Sequence, residues 1–201
     1  MKKPNNYDNT QAQGDFTPVE LGGHRLVIKE VCEMTSKSGK PMIKVSFDFA
    51  KNDKQAGYFE KMFKDDIRPD KRWPNQATQY ILTEDSEGNC SQSFKTFITC
   101  VEHSNKGFET QWGDNFEAQF KNKLIGGVFG PQMDYYDGRE IEKRVLRWFT
   151  SIDKAADAAI PEMSETRAYK EHISGQRQAA APGNDGFMNI PDGIDEELPF
   201  N

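Results

Sequence analysis

Between Pro41 and Ala50 the chain alternates without a break, with Ile43, Val45, Phe47 and Phe49 on one side and Lys44, Ser46 and Asp48 on the other. A period of two sends these sets to opposite faces of a strand. The segment therefore predicts a sheet with one buried and one wet face, the habit of antiparallel sheets. The rest of the chain has to supply its partners. After Gly22-Gly23, the run from His24 to Cys32 has the β-branched, apolar centre of a strand buried on much of both faces. Asp137-Gly138, between Tyr135-Tyr136 and the run from Arg139 to Phe149, is the strongest hairpin signal in the chain. Both residues accept the positive φ of a type I′ turn, which would set Tyr136 opposite Arg139. Leu124-Ile125-Gly126-Gly127-Val128-Phe129-Gly130-Pro131 predicts a strand that bends or bulges, because Pro cannot donate to a ladder.

Phe94, Phe97, Ile98 and Val101 fall at i, i+3, i+4 and i+7, which predicts an amphipathic helix ending near Asn105-Lys106-Gly107. Gln79 to Leu82 predicts a short strand closed by the turn residues Asp85 to Asn89. Residues 51–76 follow no single period and are expected to be loop or short helix. Phe108, Trp112, Phe116 and Phe120 are expected to cover one edge of the core. The polar residues 1–15 predict a disordered arm, 16–150 the folded domain, 151–175 a weakly helical extension, and 176–201 a flexible linker and acidic tail. The order strand, strand, short strand, helix, bent strand, strand makes the chain mainly β with helices. It is compatible with a small closed Greek-key β-barrel of the oligonucleotide-binding (OB) type, though other barrels and α+β sandwiches accommodate it too.

The formal charge of −6 is unevenly spread. Residues 21–150 hold 20 Lys and Arg against 19 Asp and Glu, whereas residues 176–201 hold one Arg against five acids. A near-neutral body can still carry a basic face, so net charge excludes no phosphate ligand. Three cysteines, Cys32, Cys90 and Cys100, without a Cys-x-x-Cys predict a reducing compartment and a cytoplasmic protein. Neither a signal h-region nor an apolar run of membrane-spanning length occurs in the sequence.

No constellation for catalysis is legible. Pro69-Asp70 could open a nuclease motif, but no Asp/Glu-x-Lys completes it, and no Walker-type, Gly-x-Ser-x-Gly or His-Glu-x-x-His sequence occurs. Cys100-Val101-Glu102-His103 has half the spacing of a zinc site and no second half. Neither a metal nor a cofactor is therefore expected. Single-stranded DNA needs cations that track phosphates and aromatic faces on which bases stack. Two stretches interleave them: Arg72-Trp73, preceded by Lys71, and the span holding Tyr135, Tyr136, Lys143, Arg144, Arg147 and Trp148. Lys44, on the wet face of its strand, and Lys37 and Lys40 in the preceding turn are further candidates.

Gly57-Tyr58-Phe59 after Phe47-Asp48-Phe49-Ala50, the helix Phe97 to Glu102, Gly127-Val128-Phe129-Gly130 and Arg147-Trp148-Phe149 together resemble a phage-encoded family found near replication and recombination genes. The likeness extends over about residues 20–160. The end of the chain resembles the tail of the bacterial single-stranded DNA-binding protein, with carboxylates before an apolar tip. Here Asp192, Asp195, Glu196 and Glu197 precede Leu198, Pro199 and Phe200, and Asn201 is added beyond the family's terminal Phe. These resemblances imply a single-stranded DNA-binding protein of phage replication or recombination, whose tail docks replication proteins: acid steers and Phe200 anchors. The alternatives are a barrel that binds and regulates protein, and a strand-annealing recombination protein.

Overall fold

A computed structural model describes residues 1–5, 7–9 and 17–180. In order come β1 (Gly22–Thr35), β2 (Pro41–Phe49), α1 (Tyr58–Asp65), β3 (Thr78–Leu82), α2 (Gln92–Ser104), β4 (Leu124–Tyr136), β5 (Arg139–Thr150), α3 (Ile152–Ala156), β6 (Ser164–Glu165) and α4 (Arg167–Ala180). The strands form one sheet in the order β3-β2-β1-β4-β5. Every neighbour along this path is antiparallel, and β6 pairs in parallel with β4. The sheet is open where a closed barrel was expected, since among the described residues no ladder joins β3 to β5. Among the described residues no helix is long and apolar enough to cross a membrane.

Ile43, Val45, Phe47 and Phe49 lie in the core as the alternation of β2 requires, but the face expected to be wet is so only at Lys44, because Ser46 and Asp48 are buried as well. Three gaps separate β2 from β5, about 14 Å in a flat sheet. The Phe47 and Phe149 ring centroids are nevertheless 5.8 Å apart. The sheet therefore curls until its own inner side chains meet. α2 packs into the concave side, with Phe97 5.6 Å from Phe149 and 5.5 Å from Phe120. Its four predicted core residues are all buried. Ser91 caps this helix by accepting the Phe94 amide (3.1 Å), and the Asn105 side chain ties its end to both N–H and C=O of Leu124. Across the open edge the Gln76 amide donates to the Arg144 carbonyl at 3.1 Å.

The Asp137-Gly138 turn has φ of 50° and 74°, as type I′ requires, and Tyr136 pairs with Arg139. The bulge foreseen in β4 falls elsewhere. Val128 pairs with Trp148 and Phe129 with Leu146, so the extra residue is Arg147 on β5. The glycines of β4 instead let another segment approach. A Cβ on Gly126 would stand 2.6 Å from the Ser151 carbonyl oxygen, and one on Gly23 would collide with the Ala155 carbonyl. α3 lies directly on sheet backbone there.

Residues 151–175 are thus more than a helical extension, since α3 covers the sheet and β6 adds to it. α4 also runs to Ala180, into the stretch read as linker, because Gln and Ala beyond Gly175 are good helix formers. Within the expected disordered arm, Tyr7–Asn9 form a 3₁₀ turn beside a Lys3–Asp8 ion pair of 2.5 Å. Residues 6, 10–16 and 181–201 lie outside the described residues.

Two carboxylates fix the loop after β2. Asp48, fully buried, accepts the amides of Phe49 (2.8 Å), Phe59 (3.0 Å) and Glu60 (3.1 Å), and so caps α1 from the neighbouring strand. Burial pushes its carboxyl above the ordinary value against the pull of those amides. Asp53 accepts from the amides of Arg25 (2.9 Å) and Gln55 (3.0 Å) and sits 3.1 Å from His24 Nδ1. Burial acts upward here too, but the His24 hydrogen bond and the two amides outweigh it and hold the carboxyl below its ordinary value.

Gly23→Ala and Gly126→Ala should each cost about 1–3 kcal/mol, read as a lowered denaturant midpoint, because α3 must lift off the sheet. Gly175→Ala, where the Cβ would meet open space in α4, should stabilise by about 0.5–1 kcal/mol. The two acids should show opposite pH dependence. A depressed folded pKa gives Asp53 a stabilisation present above its unfolded value and lost as pH falls through the folded one. The raised pKa of Asp48 gives a contribution present at low pH and lost as pH rises. In denaturation series between about pH 6 and pH 3, the cost of Asp53→Asn should shrink on acidification and that of Asp48→Asn should grow.

Candidate nucleic-acid interface

On the outer side of the sheet, away from Val31, Ile43, Val45 and Ile81, pairing fixes two rows of side chains. Tyr80, Lys44 and Cys32 are successive partners across β3, β2 and β1, and Leu82, Met42 and Met34 form the next row. Directly opposed residues have Cβ atoms about 5 Å apart, so the Tyr80 ring and the Lys44 stem are neighbours. Tyr80 is 53% exposed, and Met34 and Leu82 are exposed beside it. The nearest carboxylate to Lys44 recorded in an ion pair is Glu30, at 3.9 Å. The β1–β2 turn continues this face and carries Lys37 and Lys40. It is held by the Ser36 amide to the Lys40 carbonyl (2.8 Å) and by the Lys40 amide to Ser36 Oγ (2.9 Å).

The cations of the β4–β5 hairpin are largely occupied by the fold. Lys143 Nζ lies 2.5 Å from Asp134 Oδ2, and that hydrogen bond holds the Asp134 carboxyl below its usual range. Arg144 donates to the Val19 carbonyl at 2.7 Å, and Arg147 to the Glu162 carbonyl at 3.1 Å. Tyr135 is stacked on His172 at 3.7 Å, so one of its faces is covered. Tyr136, 71% exposed at the turn, keeps both. Trp73 is half-buried against the core, leans on Phe63 at 5.6 Å and donates its indole N–H to the Ala77 carbonyl. Its neighbour Arg72 is exposed. The indole of Trp73 belongs chiefly to packing.

Trp148 is 48% exposed on the outer side of β5. Two residues on along the same side, Thr150 lines a recess of about 250 Å³ shared with Lys95, His103 and Lys154. The sequence reading thus brought Lys44 and Trp148 to exposed faces but missed Tyr80, Leu82 and Met34. β3 is too short to display a period, so the signal would have come only from pairing it with β2 in register. The tail residues Asp192, Asp195, Glu196, Glu197, Leu198, Pro199 and Phe200 lie outside the described residues.

Among the described residues no three or more His, Cys, Asp or Glu side chains gather where they could hold a metal ion. The most deeply buried acid, Asp48, is fully engaged in capping α1. Neither the protein-family models nor the curated proteins contain a match to this chain.

Proposed function

We propose that this chain binds single-stranded DNA without catalysis on the outer face of β1, β2 and β3, and that it recruits replication or recombination proteins through its acidic end. In this reading the curled sheet is a partly open barrel of OB type. It has α2 between β3 and β4, and OB folds use the face of their second and third strands together with the first turn. The observation that carries the reading is the exposed Tyr80 ring set directly beside Lys44, with Lys37 and Lys40 in the adjoining turn. An aromatic face next to cations is what sequence-tolerant single-strand binding requires. Trp148, 48% exposed on β5, is the alternative location for the same activity, and the titrations below decide between the two.

Anisotropy titrations with labelled oligo-dT separate these locations. Tyr80→Ala should lose about 1–3 kcal/mol, or about 5- to 150-fold in Kd. Lys37, Lys40 and Lys44 changed together to Ala should flatten the salt slope by about 2, at about 0.7 per phosphate contact. Trp148→Ala should leave both quantities unchanged; a loss there with none at Tyr80 moves the site to β5. No binding of oligo-dT by the unaltered protein leaves the protein-binding alternative. Removing residues 192–201 should tighten oligo-dT binding at low salt by relieving competition from like-charged acid. Phe200→Ala should abolish capture of replication proteins while leaving DNA affinity as it was.

A further inference from the structure

A cavity of about 710 Å³ opens between the start of α2, the β3–α2 turn and the loop before β4. Phe94 and Ile98 of α2 and Phe116 give it an apolar lining, Trp112 adds an aromatic wall, and Glu33 and Glu84 also line it. Trp112, expected with Phe108, Phe116 and Phe120 to cover one edge of the core, is 70% exposed. Its ring lies nearly parallel to Phe116, with centroids 5.4 Å apart and planes at 14°, and Phe94 closes on it at 6.2 Å. A volume in the range of about 300–1,000 Å³ is that of ligand pockets.

The walls are held in place without a ligand. The Gln119 side chain accepts the Gln111 amide at 2.8 Å and donates to the carbonyls of Gln111 (2.7 Å) and Phe116 (2.8 Å), which fixes the loop that presents Trp112. The Glu117 carboxylate accepts the Glu33 amide and sits beside the rim. Glu84 pairs with Cys90 through a β-bridge, and the Asp85 amide donates to the Asn89 carbonyl at 2.8 Å. Lys95 also lines the cavity, but the acids there and in the adjoining turn, which adds Asp85 and Glu87, outnumber it.

An indole face flanked by carboxylates over an apolar floor complements a cation carried on an apolar stem. It repels phosphate and acidic peptide alike. We propose that this cavity docks a basic segment of a partner protein: an aliphatic side chain fills the space over Phe94 and Ile98, and an adjacent Arg or Lys lies on Trp112 between Glu33 and Glu84. Preformed walls spare the ordering cost that otherwise weakens short-peptide binding. This site is separate in residues and in sign of charge from the face proposed for DNA.

The test titrates the full chain with fluorescein-labelled acetyl-Arg-Leu-Arg-Leu-Arg-amide and with its Glu-Leu counterpart. The basic peptide should saturate and bind at least about tenfold more tightly than the acidic one. Trp112→Leu, which keeps an apolar surface but removes the π face, should weaken it about 2- to 30-fold. Glu84→Gln, on the exposed rim where folding is not at stake, should weaken it as well and reduce the salt dependence, while oligo-dT binding stays unchanged in both variants. Equal binding of the two peptides, or full binding by Glu84→Gln and Trp112→Leu, overturns the proposal. So does displacement of the basic peptide by oligo-dT, which would make Trp112 a base-stacking ring.

Discussion

The meeting of Phe47 and Phe149 is the contact on which the remaining architecture depends. The two rings come from strands separated by β1 and β4, and their centroids stand 5.8 Å apart only because the sheet curls. Buried phenylalanines each contribute about 1.5–3 kcal/mol by removal from water. Phe47, Phe49, Phe59, Phe97, Phe120 and Phe129 are all enclosed by this one curl. Where backbone hydrogen bonds would complete a barrel, a single amide from Gln76 reaches Arg144 instead. Side chains, and no backbone ladder, bridge β3 to β5 among the described residues.

Coiling by side chains also decides which outer surfaces stay bare. Near the start of β1 and β4, Gly23 and Gly126 remove side chains from that face, and α3 settles on the backbone. Beyond Phe129, where β1 no longer accompanies β4, β6 takes its side and α4 packs against the hairpin, with His172 stacked on Tyr135. On the outer face of β1, β2 and β3, no described residue gives such cover to Met34, Tyr80 and Leu82.

Local periodicity made much of this legible. The alternation of β2, the helical spacing of Phe94 to Val101 and the Asp137-Gly138 turn each depend on neighbours in sequence, and each formed as the spacing requires. What escaped depends on distance in the fold. Nothing around Gly23 or Gly126 announces that Ala155 or Ser151 will rest on it, so the glycines of β4 were read as a bend. Lys143, Arg144 and Arg147 look like free cations in a string. Their partners Asp134, Val19 and Glu162 lie up to 125 positions away. Trp112 was expected to cover an edge of the core, and it does stack on buried Phe116, but the loop held by Gln119 leaves it 70% exposed.

The same redistribution gives meaning to a body whose charges nearly cancel. Lys143, Arg144 and Arg147 of the hairpin are spent on Asp134 and on carbonyls, whereas Lys44 stays beside Tyr80, 3.9 Å from Glu30, with Lys37 and Lys40 in the adjoining turn. Carboxylates gather instead around Trp112, from Glu33, Glu84 and Glu117. Two aromatic surfaces of one protein thus carry opposite local fields, each effective over about 10 Å at ordinary salt. In the proposed reading, the acidic residues 192–197 would be drawn to the first surface and repelled by the second, and so would contend with a nucleic acid at Tyr80 without blocking a basic partner at Trp112.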